Sequence, residues 1–327
     1  MASVFVTGGT GFIGTAFVRA AVAAGWDVRA LARSESSAAR LSELGAWPVE
    51  GDVFDASGTW RAVAADADTV AHLAQPQTFG ARVTAARAER WREERLRMDR
   101  VLLDALDPAH VKRIVYVAGT SYYGDCGADV PHDEDVTPVP RGFGPYLAPA
   151  LAALDADRAR GLPIVEAFPG WVYGPGSWFA EYVLTPLAKG KPVTGVSGGS
   201  RITSCVHVDD CARAIVHLLT AGEPGRRYFI VDDAPVPSDV LGKKAASALG
   251  VPFRSRTVPA WLCKLLLGRI VTESLQYENR LWNGRLRATG FAPAFPTYEE
   301  GVPDVVATWR ANARESTMRS HPSTSSG

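Results

Sequence analysis

The stretch Thr7–Gly14 (TGGTGFIG) decides the fold of this 327-residue chain. It follows a short β-branched run, Ser3–Thr7, and opens an alanine-rich segment, Phe12–Ala24, so a strand, a tight turn and a helix are predicted in succession. Glycines at every third position permit the turn, let the backbone approach a pyrophosphate and let the helix pack close to the strand. The alternative is a glycine-rich turn without a ligand. In this context the pattern predicts a dinucleotide site, to which six residues would contribute: Gly8, Thr10, Gly11, Phe12, Ile13 and Gly14.

Short apolar runs alternate with helical segments through the first half of the chain. A helix is predicted over Glu35–Leu44, and a long charged helix over Arg82–Leu106. The strands predicted after the first are Asp27–Ala32, Trp47–Glu50, Asp68–Leu73, Lys112–Val117 and Leu162–Phe168. Strands that alternate with helices indicate a parallel sheet with helices on both faces. The predicted class is therefore α/β, a Rossmann-type doubly wound parallel sheet with a smaller C-terminal substrate-binding region.

The pattern of the sequence changes after about Gly174. Proline, glycine and tryptophan become frequent, and strand candidates such as Arg201–His207 and Tyr228–Val231 are scattered. We therefore expect a dinucleotide-binding Rossmann domain over residues 1–173 and a substrate-binding region over residues 174–315 that is interleaved with it. The polar residues 316–327 are expected to form a disordered tail.

The composition excludes several classes of protein. Hydrophobic residues make up 46% of the chain and charged residues 21%, and 35 basic residues balance 35 acidic ones. This balance predicts neither a nucleic-acid partner nor an anionic membrane partner. The four cysteines form no CxxC pair, which disfavours a disulfide framework or a structural zinc site and favours a reducing compartment. We expect a cytoplasmic protein that acts on a small-molecule substrate and holds no metal.

The end of the second predicted strand bears on the choice of nicotinamide cofactor. An acidic residue there would bind the adenosine ribose hydroxyls and repel a 2′-phosphate. Here the strand ends Leu31-Ala32-Arg33-Ser34, and Arg33 could pair with a 2′-phosphate or be a solvated surface arginine. The sequence therefore favours NADP, with NAD as the alternative.

Further motifs extend along nearly the whole chain. They are Gly51-Asp52-Val53, His72-Leu73-Ala74, Tyr122-Tyr123-Gly124, Pro169–Gly176 (PGWVYGPG) and Val206–Asp210 (VHVDD). Together with Thr7–Gly14 they resemble the extended short-chain dehydrogenase/reductases, the family of nucleotide-sugar epimerases and dehydratases. The resemblance implies a homodimer formed by the long charged helix and the helix at Tyr146. It also implies contacts to the adenine, the inner ribose and pyrophosphate, and the nicotinamide, made in that order by Asp52 and Val53, by Leu73 and Ala74, and by Pro169, Gly170, Trp171 and Val172.

The catalytic set of that family carries over only in part, so the chain resembles an atypical member. The family uses a tyrosine and a lysine four residues later on one helix face; here Tyr146 is followed by Ala150 at the lysine position. The family's catalytic hydroxyl falls on Gly119, and the neighbouring Thr120 and Ser121 are candidates to replace it. Pro149 predicts that the helix begins late and displaces the phenol of Tyr146, which we expect to contact both cofactor and substrate.

The substrate pocket is predicted from aromatic and basic residues at the family's pocket positions. An aromatic-lined cleft would suit a flat or apolar substrate better than a sugar nucleotide. The candidates are Tyr122, Trp171, Trp178, Tyr182 and Arg201, of which Arg201 could equally belong to a surface ion pair.

Three functions stay open from the sequence. The first is NADP-linked oxidoreductase or epimerase chemistry at a hydroxyl or carbonyl of a small molecule. The second is a non-redox isomerase, cyclase or lyase on the same fold. The third is a dinucleotide sensor without catalytic activity.

Overall fold

A seven-stranded parallel sheet forms the centre of the protein in a computed structural model that describes residues 1–77, 82–198 and 201–320. Its strands are β1 (Ser3–Thr7), β2 (Asp27–Ala32), β3 (Trp47–Glu50), β4 (Thr69–His72), β5 (Arg113–Val117), β7 (Ile164–Pro169) and β12 (Arg227–Ile230). The order across the sheet is β12-β7-β5-β4-β1-β2-β3, with every neighbouring pair parallel. The chain thus winds outward from β1 in both directions, and the predicted fold class is confirmed.

Helices cover both faces of this sheet, because alternate residues of its strands point to opposite sides. The helices are α1 (Phe12–Ala23), α2 (Glu35–Glu43), α3 (Trp60–Ala65), α4 (Ala85–Leu103), α5 (Gly144–Ala159) and α7 (Val208–Ala221). Val4 and Val6 pack in one core with residues of α1 and α7. Phe5 packs in a second core with residues of α3, α4 and α5.

The C-terminal region adds short ladders and smaller helices at the carboxyl edge of the sheet. Three ladders are parallel: β8 (Trp171–Tyr173) with β11 (Cys205–His207), β6 (Gly127–His132) with β15 (Asn279–Leu281), and β9 (Val193–Val196) with β14 (Ser255–Val258). An antiparallel ladder joins β10 (Ile202–Thr203) to β13 (Val236–Pro237). The remaining helices are α6 (Thr185–Ala188), α8 (Ser238–Leu249), α9 (Ala260–Leu267), α10 (Arg269–Ser274), α11 (Gly284–Ala288) and α12 (Tyr298–Ser320).

The largest differences from the sequence-based expectations are in three segments. The strand predicted over Arg201–His207 is divided at Ser204, because Ile202–Thr203 pairs with β13 whereas Cys205–His207 pairs with β8. Helix α4 is shorter than Arg82–Leu106, since Thr84 caps its start by accepting a hydrogen bond from the Arg87 amide. Helix α12 extends to Ser320, inside the predicted tail, and residues 321–327 lie outside the described part of the chain.

Strand β12 lies beyond residue 174 and yet completes the central sheet. The division into two interleaved regions stays a prediction. No helix in the described residues is long and apolar enough to cross a membrane.

Candidate cofactor site and active site

The turn between β1 and α1 has room only for glycine at two positions. Gly8 adopts a φ of 76°, and a Cβ there would lie 2.6 Å from the Ala74 amide nitrogen. A Cβ on Gly14 would lie 2.0 Å from the Gly8 carbonyl oxygen. Helix α1 begins after Gly11 with no side-chain cap and no acidic residue in its first turn, so its first N–H groups face outward unpaired by a side chain. This cradle fits the pyrophosphate of a dinucleotide.

The other residues of the turn connect it to the predicted nicotinamide segment. The Phe12 ring lies against Gly174, where a Cβ would be 2.8 Å from the ring. Ile13 packs against the core on that face of the sheet, and Thr10 is half-buried beside the turn. The glycine turn and the Pro169–Gly176 segment therefore lie together at the carboxyl edge of the sheet.

The end of β2 presents hydroxyl and guanidinium groups. Arg33 is exposed and makes no ion pair with any described residue. Ser34 caps α2 by accepting a hydrogen bond from the Ser37 amide at 3.2 Å, and its hydroxyl lies 3.1 Å from that of Ser36. Arg40, one turn into α2, donates to the Thr15 hydroxyl of α1 at 3.2 Å. These donors suit an anionic group at the edge of the cofactor site.

The residues predicted to contact adenine and ribose follow β3 and β4. Asp52 is half-buried and accepts a hydrogen bond from the Phe54 amide at 2.9 Å, which fixes the turn after β3. Val53 and Leu73 are buried. Ala74 is half-buried, and its amide donates to the Thr7 hydroxyl at 3.4 Å. All four residues thus follow the carboxyl ends of sheet strands, and Leu73 and Ala74 lie directly against Gly8 of the glycine turn.

A buried charge network lies beneath this edge, formed by Thr7, His72, Arg95, Asp99 and Tyr116. Burial lowers the pKa of His72, so the ring is neutral, and it donates from Nε2 to Asp99 at 2.9 Å and accepts from Thr7 at 2.6 Å. Although burial opposes ionisation, Arg95 keeps the pKa of Asp99 below its usual range. The Tyr116 hydroxyl donates to Asp99 at 2.6 Å. A fully buried ion pair with every partner supplied is stable where a lone charge would not be.

Arg95 links this network to the ends of two strands. Its Nε donates to Asp99 at 3.0 Å, and its two terminal nitrogens donate to the carbonyls of Ala74 at 3.1 Å and Val117 at 3.4 Å. The guanidinium also lies 4.4 Å from the centre of the Tyr116 ring. Arg95 therefore fixes the carboxyl ends of β4 and β5 relative to each other.

The hydroxyl groups predicted after β5 differ in their surroundings. Gly119 has an extended backbone with a φ of −162°, and the nearest atom to a Cβ there would be the Ser121 hydroxyl oxygen at 3.9 Å. Ser121 is half-buried and so places its hydroxyl beside the space that a side chain at position 119 would enter. Thr120 is buried and faces Tyr277.

Tyr146 lies on α5, which starts earlier than expected. The helix begins at Gly144 and includes Pro149, so the prediction of a late start was wrong. Pro145 in the first turn favours the helical backbone there, and Pro149 in the second turn removes one backbone hydrogen bond without ending the helix. Tyr146 is half-buried and lines a cleft of about 450 Å³, whereas Ala150 one turn later is buried.

Aromatic rings form a wall beside Thr120. Trp178 meets Trp171 edge-on at 5.4 Å and donates from its indole to the Val172 carbonyl at 2.9 Å. Tyr277 lies 6.4 Å from Trp171, and burial raises the pKa of its hydroxyl to about 12 against the opposing effect of contacts with Trp171 and Thr120. Tyr122 stacks at 6.0 Å on Phe168.

Two further residues, Tyr182 and Arg201, are predicted from the sequence to contact the substrate. The Tyr182 side chain is 60% exposed. Arg201 lies 3.6 Å from the Glu278 carboxylate, which is the surface ion pair that the sequence left open. As substrate contacts, both residues stay predictions.

His207, Asp209 and Asp304 bring possible metal ligands within 4.8 Å of one another. His207 accepts a hydrogen bond from the Asp209 amide at Nδ1 and thereby caps α7, so its proton is on Nε2, which faces Asp304 at 3.3 Å. A ring nitrogen that carries a proton cannot also ligate a metal, and this group is a helix cap whose second ring nitrogen faces a carboxylate.

The model of the NAD dependent epimerase/dehydratase family matches residues 4–230, from β1 to the end of β12. The chain belongs to this family. It is therefore an NAD(P)-dependent enzyme.

Curated relatives of this epimerase/dehydratase family member include two reductases. A 4-hydroxy-2-methyl-3-oxo-4-farnesyl-3,4-dihydroquinoline-1-oxide ketoreductase from Stigmatella aurantiaca is 32% identical over 285 residues, or 83% of this chain and 82% of the relative. A 3-diazoavenalumate denitrifying reductase from a Streptomyces species is 29% identical over 91% of this chain and 98% of its own.

Solved structures share the fold of the enzyme. A human epimerase family protein determined with NADPH superposes with a TM-score of 0.75 at 22% identity, covering 93% of this chain and 99% of that one. The UDP-glucose 4-epimerase of Thermus thermophilus, determined with NAD, gives a TM-score of 0.78 at 23% identity, covering 94% and 99%. The fold is thus found with either nicotinamide cofactor.

Tyr277 and Arg95 are not among the site residues that the sequence predicts. Arg95 makes its contacts across 21 residues to Tyr116 and 22 to Val117, and no local pattern encodes them. The sequence does contain one indication of a buried role for Arg95, because this charged residue lies on the apolar face of the predicted long helix. Tyr277 lies between α10 and β15, where the sequence has no regular period.

Proposed function

We propose that the enzyme is an NADPH-dependent reductase of a carbonyl or related electrophilic group on a small, mainly apolar molecule. The observation that carries the proposal is the uncapped glycine cradle together with the unpaired guanidinium of Arg33 at the end of β2. The aromatic wall of Trp171, Trp178 and Tyr277 supports an apolar substrate. The farnesylated substrate named for the ketoreductase relative is of the same chemical kind.

In this proposal the glycine turn and three side chains have distinct roles in binding and catalysis. When bound, the nicotinamide supplies the hydride. The backbone at Gly8–Gly14 holds the pyrophosphate, and Arg33 holds the 2′-phosphate. The Ser121 hydroxyl donates a hydrogen bond to the substrate oxygen and stabilises the charge that develops there. The Tyr146 phenol supplies the proton from its side of the cleft.

The absence of an ammonium group at position 150 changes how the proton is handled. A lysine one helical turn after a tyrosine supplies a positive charge that stabilises a phenolate, and buried Ala150 has no charge. Arg95 is neutralised by Asp99 and is engaged by backbone carbonyls. In this proposal Tyr146 therefore acts as a proton and hydrogen-bond donor to a substrate that accepts hydride readily.

Cofactor binding is tested by thermal unfolding of the purified protein. NADPH near saturation should raise the melting temperature by several degrees, because a ligand that binds only the native state adds RT ln(1 + [L]/Kd) to its stability. No shift with either NADPH or NADH would contradict the proposal.

The preference for NADPH is tested by Arg33→Ala. The variant should bind NADPH about tenfold to a hundredfold more weakly, which is the cost of about 1.5–3 kcal/mol for a charged hydrogen bond, and NADH nearly as before. Titration of both cofactors by fluorescence measures this. Equal losses for both cofactors would show that Arg33 does not contact the 2′-phosphate.

A further inference from the structure

The cleft beside Tyr146 has a lining unlike that of the aromatic wall. It has a volume of about 450 Å³ and lies between the start of α4, the start of α5 and the α9–α10 corner. Gly268 at this corner has a φ of 89°, and a Cβ there would lie 2.4 Å from the Val83 carbonyl oxygen. The Val83 amide donates to the Leu267 carbonyl at 3.1 Å, so the corner is fixed against the segment that precedes α4.

The floor of the cleft is apolar. Val83 and Ile270 are buried in one small cluster, against which Phe143, Tyr146 and Val271 pack. Helix α9 continues this apolar character outward, because Trp261, Leu265 and Leu266 are 68%, 59% and 58% exposed. Large apolar side chains exposed side by side commonly mark a binding surface.

The rim of the cleft is basic. Arg82, Lys264 and Arg269 line it, and Glu273 is the acidic residue among the lining side chains. Arg269 pairs with Glu273 at 2.8 Å, which neutralises both. Within the described residues neither Arg82 nor Lys264 pairs with a carboxylate, so two positive charges remain at the rim above an apolar floor.

We propose that this cleft binds an amphiphilic organic anion, an apolar body that carries one carboxylate, with Lys264 and Arg82 holding the carboxylate. The apolar body lies on the floor and continues over the exposed face of α9. The inference rests on the proposed function in treating this anion as the substrate, since Tyr146 lines the same cleft. The anion-binding site itself requires only the cleft.

The test uses the intact protein and three probes, decanoate, decanol and acetate, each kept below the concentration at which it aggregates. Isothermal titration calorimetry should show binding of decanoate, weaker binding of decanol and none of acetate. Lys264→Met keeps the length and apolar character of the side chain and removes the charge. It should weaken decanoate binding about tenfold and leave decanol binding unchanged. Lys189→Met, at an exposed lysine after α6, is the matched control and should have no effect.

A second variant tests the apolar part of the site without touching its buried core. Ala85 is exposed and lines the cleft, so Ala85→Phe should fill it and weaken decanoate and decanol alike. The proposal is overturned if decanoate and decanol bind equally, if both lysine variants weaken decanoate to the same extent, or if Ala85→Phe has no effect. The NADPH melting shift is measured on the same samples. Decanoate binding without an NADPH shift would retain the site and reject the reductase, and the converse would reject the site alone.

Discussion

The hydroxyl group that is missing at Gly119 is present two residues later, on Ser121. The Ser121 oxygen is the nearest atom to a side chain placed at position 119. Ser121→Ala should therefore lower kcat/KM about tenfold or more, the loss of about 1.4 kcal/mol of hydrogen bonding in the transition state. Thr120→Val should cost less, because Thr120 is buried against Tyr277. Steady-state kinetics of both variants measure the difference.

A gain of function at Gly119 is the complementary experiment. The backbone of Gly119 is extended and its Cβ position is open, so Gly119→Ser should fold normally. In a Ser121→Ala background it should restore part of the lost activity. If Gly119→Ser restores nothing and Thr120→Val is the more damaging variant, the substrate oxygen is held by Thr120.

The glycine cradle between β1 and α1 gives a further prediction. Gly14→Ala should abolish cofactor binding and destabilise the protein by several kcal/mol, because the added methyl would meet the Gly8 carbonyl oxygen at 2.0 Å. Gly195→Ala, on an exposed strand with open space around it, is the matched control and should change neither property. Thermal unfolding with and without NADPH separates the two effects. A Gly14→Ala protein that still binds NADPH would contradict the role of this turn.

The segment after β12 makes the free energy of unfolding depend on pH, because it contains the buried side chain of Asp232. Asp232 donates its amide to the Cys205 carbonyl at 2.8 Å, and its Oδ1 accepts from the Ala234 amide at 3.2 Å. Its Oδ2 is buried with no partner among the described residues. Burial raises the pKa of Asp232 to about 8, with the neighbouring carboxylates of Asp233, Glu300 and Asp210 adding to the shift.

The sign of the effect follows from proton binding. Between pH 4 and 8 the native state holds a proton on Asp232 that the unfolded chain has released, so stability falls as pH rises through this range. One such group contributes a slope of at most about 1.4 kcal/mol per pH unit. Asp232→Asn should flatten the slope and stabilise the protein at pH 8, as measured by urea unfolding at several pH values. Exposed Asp129→Asn is the control, and equal slopes for wild type and Asp232→Asn would contradict the prediction.

The sequence predicts some elements well and others not at all. The β1–turn–α1 unit is local: apolar run, glycine spacing and helix follow one another in the chain, and the structure has them within a residue. Ladders such as β9–β14 join four-residue strands that are 62 residues apart and mainly exposed, so no periodic pattern marks them. The positions of Tyr277 and Arg95 are likewise not predictable from a local pattern, because they depend on contacts between distant segments.

The homodimer that the family resemblance implies stays a prediction. The described parts of α4 and α5 expose no large apolar side chain; α4 presents charges of both signs and α5 presents Ala152, Ala153 and Ala156. A dimer through these helices would be held by small residues and ion pairs and should weaken with salt. Ala156→Arg should shift it to monomer in sedimentation velocity, with Ala62→Arg on α3 as control. A monomer at every salt concentration would reject this interface.

The position of β12 has a consequence for synthesis on the ribosome. Strand β7 emerges well before β12, so for a time its edge has no neighbour on that side. Glu166 lies in the middle of β7, and in the finished protein it is buried and paired with Arg158 and with Arg227 of β12. An acidic side chain on a temporarily bare edge strand discourages pairing with another nascent chain. We therefore expect Glu166 to protect the growing polypeptide until Arg227 arrives and pairs with the same carboxylate.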